Sequence, residues 1–164
     1  MLVVTVLHRA GDLLPETKLD LLVDPGRFLS RATFFWDASA DFGRIQNQAV
    51  GYLWPMGPFF LEGDALGIPP WFVQRLWLAA LVVLALWGMH AVLRNLEVGT
   101  PASRVVGAAT YALAPSFLAT MIYQSAAQIP VAALPWIVAP LVRRDPDGTI
   151  PRRAAWRSGL AVAC

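Results

Sequence analysis

Between Trp71 and Leu93 the chain runs almost without interruption through Leu, Val, Ala and Trp; only Gln74, Arg75 and His90, all near the ends, are strongly polar. A helix needs about 20 consecutive apolar residues to cross the hydrocarbon layer of a bilayer. A helix also satisfies its own backbone N–H and C=O groups, which lipid cannot do. Residues 71–94 are therefore predicted to span a membrane, and the rest of the chain must be compatible with lipid beside it. The composition agrees: 57% of residues are hydrophobic and 15% are charged, where a soluble domain carries about a quarter charged. The charges cluster and leave apolar tracts between them. The net charge of +2 and pI near 9.1 do not indicate nucleic acid, because the basic residues flank apolar segments instead of forming an aromatic-interleaved patch on a polar surface. Cys164 is the single cysteine, which excludes an internal disulfide framework.

A second span is predicted over 101–123. Thr100 and Pro101 form an N-cap followed by a proline at the first helical position. Ser103, Gly107 and Tyr111 fall on one face beside Ala108 and Ala112, a small-residue seam of the kind that lets membrane helices approach closely. Pro115 should kink or break this helix. A third segment, 128–142, contains Pro130, Pro135 and Pro140 and reads as a kinked span or a re-entrant pair of half-helices. The run at residues 1–7 is too short to span and lacks a signal-peptide cleavage pattern. Another apolar run begins at Leu160–Cys164. Residues 1–164 are accordingly expected to be a partial N-terminal membrane domain of a larger polytopic all-α protein.

Arginine placement gives an orientation. The 143–157 loop holds Arg143, Arg144, Arg152, Arg153 and Arg157 and is expected to be cytoplasmic. The short turn after Arg94 then falls on the same side, and the long 8–70 loop lies outside, with eight acidic residues against five basic ones. That loop is aromatic-rich: Phe34, Phe35, Trp36, Trp54, Phe59, Phe60, Trp71 and Phe72 suit the headgroup zone. Asp24-Pro25 should open an amphipathic helix with Phe28, Leu29, Ala32 and Phe35 on one face, lying in the membrane interface.

The densest polar cluster is Glu16-Thr17-Lys18-Leu19-Asp20. At a bilayer surface a carboxylate can take the proton of an attacking hydroxyl, and cations can hold a phosphate. Lys18, Arg27, Arg31 and Arg75 are candidates for the second task. Asp24 is most simply an N-cap, Asp12 a turn residue, and Asp37 and Asp41 are solvated loop residues. Glu16 could pair with Lys18 or Arg9. Asp20 has no such local task, and Leu19 and Leu21 should draw it toward an apolar environment. There a carboxylate takes a proton more readily. Gln46, Asn47, Gln48 and Tyr52 could hydrogen-bond sugar hydroxyls; their plainer reading is support of an irregular loop. Arg75, one turn inside the first span, either snorkels to the headgroups or holds a phosphate. His8 and His90 are far apart, so no metal-ligand spacing is present and no metal is assigned.

Several ordered motifs carry a resemblance. They are Glu16-Thr17-Lys18-Leu19-Asp20-Leu21 leading to Asp24-Pro25-Gly26-Arg27-Phe28-Leu29, then Gln46-Asn47-Gln48 with Gly51-Tyr52-Leu53-Trp54-Pro55-Met56-Gly57-Pro58. Pro70-Trp71-Phe72-Val73-Gln74-Arg75 and Gly99-Thr100-Pro101 follow. Together, over roughly residues 12–142, the chain resembles the N-terminal GT-C membrane region of the actinobacterial α-(1→3)-arabinofuranosyltransferase (AftD-type) family. The resemblance implies an inverting glycosyltransferase of the plasma membrane. Its donor would be decaprenyl-phosphoryl arabinofuranose, and its acceptor the arabinan of arabinogalactan or lipoarabinomannan. GT-C enzymes place a catalytic acid residue in the first extracytoplasmic loop, the place occupied here by Glu16 to Asp24. The family commonly has Asp at the position of Glu16, a change that keeps the carboxylate. Asp20, with Glu16 as the alternative, is the expected base; Lys18 and Arg75 steady the phosphate. The family's later spans and carbohydrate-binding modules are not in this chain, so the segment is expected to be inactive by itself. Membrane lipid, the polyprenyl-phosphate donor and the arabinan are the expected partners. A transporter or flippase of lipid-linked sugar would use the proline-broken helices, but its ionisable groups would sit near the bilayer midplane. A non-catalytic assembly subunit is the remaining alternative.

Overall fold

The structure, a computed structural model, describes residues 11–37, 42–45, 49–143 and 152–162. Its elements are α1 (Leu19–Val23), α2 (Pro25–Ala32), an antiparallel pair of two-residue strands β1 (Trp36–Asp37) and β2 (Arg44–Ile45), a 3₁₀ turn (Ala49–Tyr52) and α3 (Met56–Ala65). Then come α4 (Pro70–Asn95), α5 (Pro101–Ala112), α6 (Pro115–Tyr123), a second 3₁₀ turn (Ser125–Gln128), α7 (Ile129–Val142) and α8 (Arg152–Val162). In the strand pair, Trp36 faces Ile45 and Asp37 faces Arg44. Among the described residues, the regular structure is thus helical apart from that short pair. Among the described residues, three stretches are long and apolar enough to cross a membrane: Pro70–Asn95, Pro101–Tyr123 and Ser125–Val142.

The chain divides into two compact units. One holds the described residues up to Trp77 together with Ile122–Ala126; the other holds Leu78–Met121 and the residues from Ala127 onward.

In the first unit, Asp24 caps α2 by accepting the Arg27 N–H at 2.9 Å, with Pro25 at the start of the helix. The apolar stripe of α2 is directed into protein: Phe28 and Ala32 are buried, and α2 packs on α3. Gly57 permits the approach, since a Cβ there would stand 2.6 Å from Leu29 Cδ2. The helix stops at Ala32, so Phe35 falls outside it; Phe34, Phe35 and Trp36 are all exposed and remain for the headgroup zone. A reciprocal pair ties the segment before α1 to α4: Leu14 N–H donates to Gln74 Oε1 at 2.9 Å, and Gln74 Nε2 donates to Leu14 O at 3.1 Å. Gln74 is buried, and this pairing satisfies its amide without water.

In the second unit, α4 leaves Val83, Leu84 and Trp87 exposed, an apolar surface suited to lipid rather than water. Thr100 caps α5 through the Ser103 N–H, α5 ends at Ala112, and Pro115 begins the next helix, as proline dictates. Ala108 and Ala112 are fully buried, and Gly107 meets Leu93 with no room to spare. α7 is one continuous helix through Pro135 and Pro140, not two half-helices. Proline 135 has no N–H to give the carbonyl four residues back, and that carbonyl, Val131 O, instead accepts the Tyr111 hydroxyl at 2.7 Å. Trp136 Nε1 donates to Leu84 O at 2.8 Å, seated over Gly88. Asn95 Nδ2 donates to Ala139 O at 2.7 Å, one of the last carbonyls of α7, which have no partner within the helix.

Candidate functional site

The polar centre of the first unit forms where the segment 14–20 meets the short 122–126 stretch. Thr17 fastens the two: its N–H donates to Tyr123 O at 3.0 Å and its hydroxyl donates to the same oxygen. Tyr123 ends α6, so this carbonyl has no helical partner. Glu16 lies beside it at 5% exposure. Its carboxylate accepts the Ser125 N–H at 3.2 and 3.3 Å and the Thr17 N–H at 3.2 Å. A buried carboxylate requires such donors, because burial strips it of water. Ser125 is itself fully buried; its hydroxyl accepts Trp77 Nε1 at 3.0 Å.

Tyr52 closes one side of this centre, buried and edge-on to Phe28 with ring centroids 6.2 Å apart. Burial pushes its phenol above the ordinary tyrosine value, and the negative charge of Glu16 adds to the rise. A hydrogen bond with the Thr17 side chain acts in the opposite sense, and Asp20 contributes a further rise. Two carboxylates, Glu16 and Asp20, therefore act on one phenol.

Asp20 is not drawn into an apolar environment, contrary to expectation. Its side chain is 53% exposed and lies 3.7 Å from Arg31 Nη2. The reason is helical geometry: in α1, Leu21 and Leu22 turn inward while Leu19, Asp20 and Val23 face out, so apolar sequence neighbours do not imply an apolar surround. The two carboxylates thus occupy opposite environments, Glu16 inside and bonded to two backbone N–H groups, Asp20 outside and exposed.

Arg27 is exposed one turn before Arg31 on α2, and Arg31 Nε donates to Arg27 O at 3.3 Å. Lys18, half-buried, precedes α1, and its carbonyl accepts the Leu21 N–H at 3.1 Å. The Arg75 guanidinium stacks on the Trp71 ring, 4.8 Å from its centroid, one turn away on the same helix. Gln46, Asn47 and Gln48 lie outside the described residues. Among the described residues, no group of three His, Cys, Asp or Glu is placed to hold a metal ion. Thr17, Tyr123 and Ser125 were not singled out in the sequence. The polar break Gln124-Ser125 between two apolar runs was the available signal for the last of these.

The comparisons with known proteins are in accord. A family model described as "Alpha-(1->3)-arabinofuranosyltransferase, N-terminal GT-C domain" matches residues 1–164. An alpha-(1->3)-arabinofuranosyltransferase of Mycobacterium tuberculosis is 45% identical over 164 residues, covering 99% of this chain and 12% of the relative. The protein of the same description from Mycolicibacterium smegmatis is 43% identical over 162 residues, with the same coverage. The cryo-EM structure of arabinofuranosyltransferase AftD from Mycobacteria superposes with a TM-score of 0.88 at 42% identity, covering 99% of this chain and 12% of that one. A mutant form of AftD gives a TM-score of 0.90. The chain therefore spans about an eighth of the length of these relatives. It belongs to the alpha-(1→3)-arabinofuranosyltransferase family and corresponds to that family's N-terminal GT-C membrane domain.

Proposed function

We propose that this domain supplies the carboxylate and part of the phosphate-binding surface for transfer of arabinofuranose from a decaprenyl-phosphate donor to cell-wall arabinan. The observation that carries the reading is the pairing of an open carboxylate with a buried one around Tyr52. Asp20 is exposed and has a cation beside it, whereas both oxygens of Glu16 already accept backbone N–H groups. Asp20 is accordingly the base, and Glu16 a positioning residue that holds the 14–20 segment in place.

In the transfer, an acceptor hydroxyl attacks the anomeric carbon of the lipid-linked sugar, and Asp20 receives the hydroxyl proton. The bond from that carbon to the phosphate oxygen breaks, its electron pair leaves with decaprenyl phosphate, and one displacement inverts the anomeric centre. Arg31, beside Asp20, together with Arg27 and Lys18, is assigned to oppose the charge that grows on the phosphate. Arg75, rigidified on Trp71, is a further phosphate ligand. Gln46, Asn47 and Gln48 are assigned to the sugar hydroxyls. The positive-inside rule supports an outer location for this unit, with the arginine-rich 143–157 connection in the cytoplasm. The exposed aromatics Phe34, Phe35 and Trp36 suit the adjoining headgroup layer of the plasma membrane.

The test is Asp20→Asn at this position of a full-length family member, assayed for transfer from radiolabelled decaprenyl-phosphoryl arabinofuranose. Loss of a positioned base lowers the rate by about 10²–10⁴-fold. Unchanged transfer in Asp20→Asn removes the assignment. Full loss in Glu16→Gln with normal Asp20→Asn would move the base to Glu16.

A further inference from the structure

The second unit holds a cavity of about 310 Å³ bounded by the end of α4, the end of α7 and the face of α8. Three arginines, Arg94, Arg143 and Arg157, are among the residues that line it, and no carboxylate residue is among them in the described part of the chain. The rest of the wall is largely apolar, with Trp136 and Ala139 on α7. Arg94 lies in the last turn of α4 and Arg143 directly follows α7, where the partial negative charge of a helix end favours a cation. That explanation does not reach Arg157, which sits in the interior of α8 yet is among the residues lining the same cavity. One acceptor among the lining residues, Ala139 O, is already taken by Asn95 at 2.7 Å, and the charged lining residues, all arginines, can only donate. A small apolar-walled cavity ringed by three such donors matches a phosphate ester, which guanidinium groups bind in bidentate fashion. Its volume lies at the lower end of ligand sites, enough for a head group but not for a large soluble ligand.

We propose that this cavity binds the phosphate head group of an anionic membrane lipid. The helices that build it are two predicted spans and the segment after them, so it opens where a span meets water, the setting in which basic pockets between membrane helices collect acidic lipids. The site is separate from the carboxylate centre and does not depend on which residue acts as base there. By the orientation proposed above, it draws on the cytoplasmic leaflet.

The experiment uses a full-length family member in detergent–lipid micelles and a photoactivatable phosphatidylglycerol, with labelled peptides mapped by mass spectrometry. Crosslinks are expected on the ends of α4 and α7 and on α8. Arg157→Gln, an exposed mid-helix change that leaves the fold intact, should lower that labelling about fivefold, as one fewer cation near an anionic surface does. The Arg94→Gln, Arg143→Gln, Arg157→Gln triple variant should lower it further, with labelling elsewhere on the protein unchanged. A photoactivatable phosphatidylcholine should label this cavity far less. Equal labelling by the zwitterionic probe, or labelling indifferent to Arg157→Gln, overturns the proposal. Loss of the phosphatidylglycerol signal on addition of inorganic phosphate would make this a site for free phosphate and overturn the lipid assignment.

Discussion

Gly88→Ala puts one methyl group into a contact that has no room for it. An alanine Cβ there would stand 2.7 Å from Trp136 Cδ1 and Nε1 and 2.9 Å from Pro135 Cβ, where carbon atoms normally rest about 3.5–4.0 Å apart. The indole must retreat by about 1 Å, which carries Trp136 Nε1, now 2.8 Å from Leu84 O, out of hydrogen-bond range. Overpacking costs about 1–3 kcal/mol, and a lost interhelical hydrogen bond in a membrane protein about 0.6–1.7 kcal/mol. Alanine returns about 1 kcal/mol through its better helix propensity. The net is a destabilisation of about 2 kcal/mol, a factor of about 30 in a local opening equilibrium. Hydrogen exchange of the α7 amides Ala132–Leu134 and Trp136–Ala139 should accelerate by that order. The built-in control is Gly159→Ala in α8, where an added Cβ meets nothing within 4 Å. That variant should slow exchange in α8 slightly, by the propensity gain alone. If Gly88→Ala proves as harmless as Gly159→Ala, the packing of Trp136 on α4 is misjudged.

Other consequences follow from single contacts. Tyr111→Phe leaves Val131 O without its hydroxyl donor opposite Pro135, at a cost of about 1 kcal/mol, seen as faster exchange at Ala132–Leu134; unchanged exchange would mean that the carbonyl has another partner. Glu16→Ala strips the acceptor from the Thr17 and Ser125 N–H groups and should weaken the first unit by about 2–4 kcal/mol. Glu16→Gln, which keeps one carbonyl oxygen, should recover part of this, with exchange of the Ser125 amide as the readout. Tyr52 should ionise above the ordinary tyrosine value near 10, measurable by near-ultraviolet difference titration against Tyr52→Phe. The unfolded chain then loses this proton first as pH rises, so the contribution is complete below about pH 10 and declines above it. A rise in stability over that interval would contradict the burial of the phenol.

Much of the architecture was legible because its causes are local. The apolar length of 71–94, the caps at Asp24 and Thr100, and the break at Pro115 each depend on residues within one or two turns, and all appear where the sequence puts them. The contrasts arise where a distant partner decides. Pro135 stays inside a helix because Tyr111, from another helix, takes up the carbonyl the proline abandons. Glu16 is buried because Ser125, 109 residues away, supplies its donor. Asp20 differs for another reason: Leu19 and Leu21 adjoin it in sequence, but a five-residue helix sends Leu21 in and Asp20 out. The gathering of Arg94, Arg143 and Arg157 around one cavity is likewise invisible in a chain that puts them on, or just after, three different helices.

The most direct measurement for the account as a whole is the side of the membrane on which the Asp20 unit stands. In a cysteine-free full-length family member, Thr33→Cys, exposed at the end of α2, and Ala155→Cys, exposed on α8, would be treated in intact cells with a membrane-impermeant maleimide. Thr33→Cys is predicted to label without permeabilisation, and Ala155→Cys only after it. The reverse pattern would place the carboxylates in the cytoplasm, out of reach of a cell-wall acceptor, and would contradict the proposed transfer chemistry.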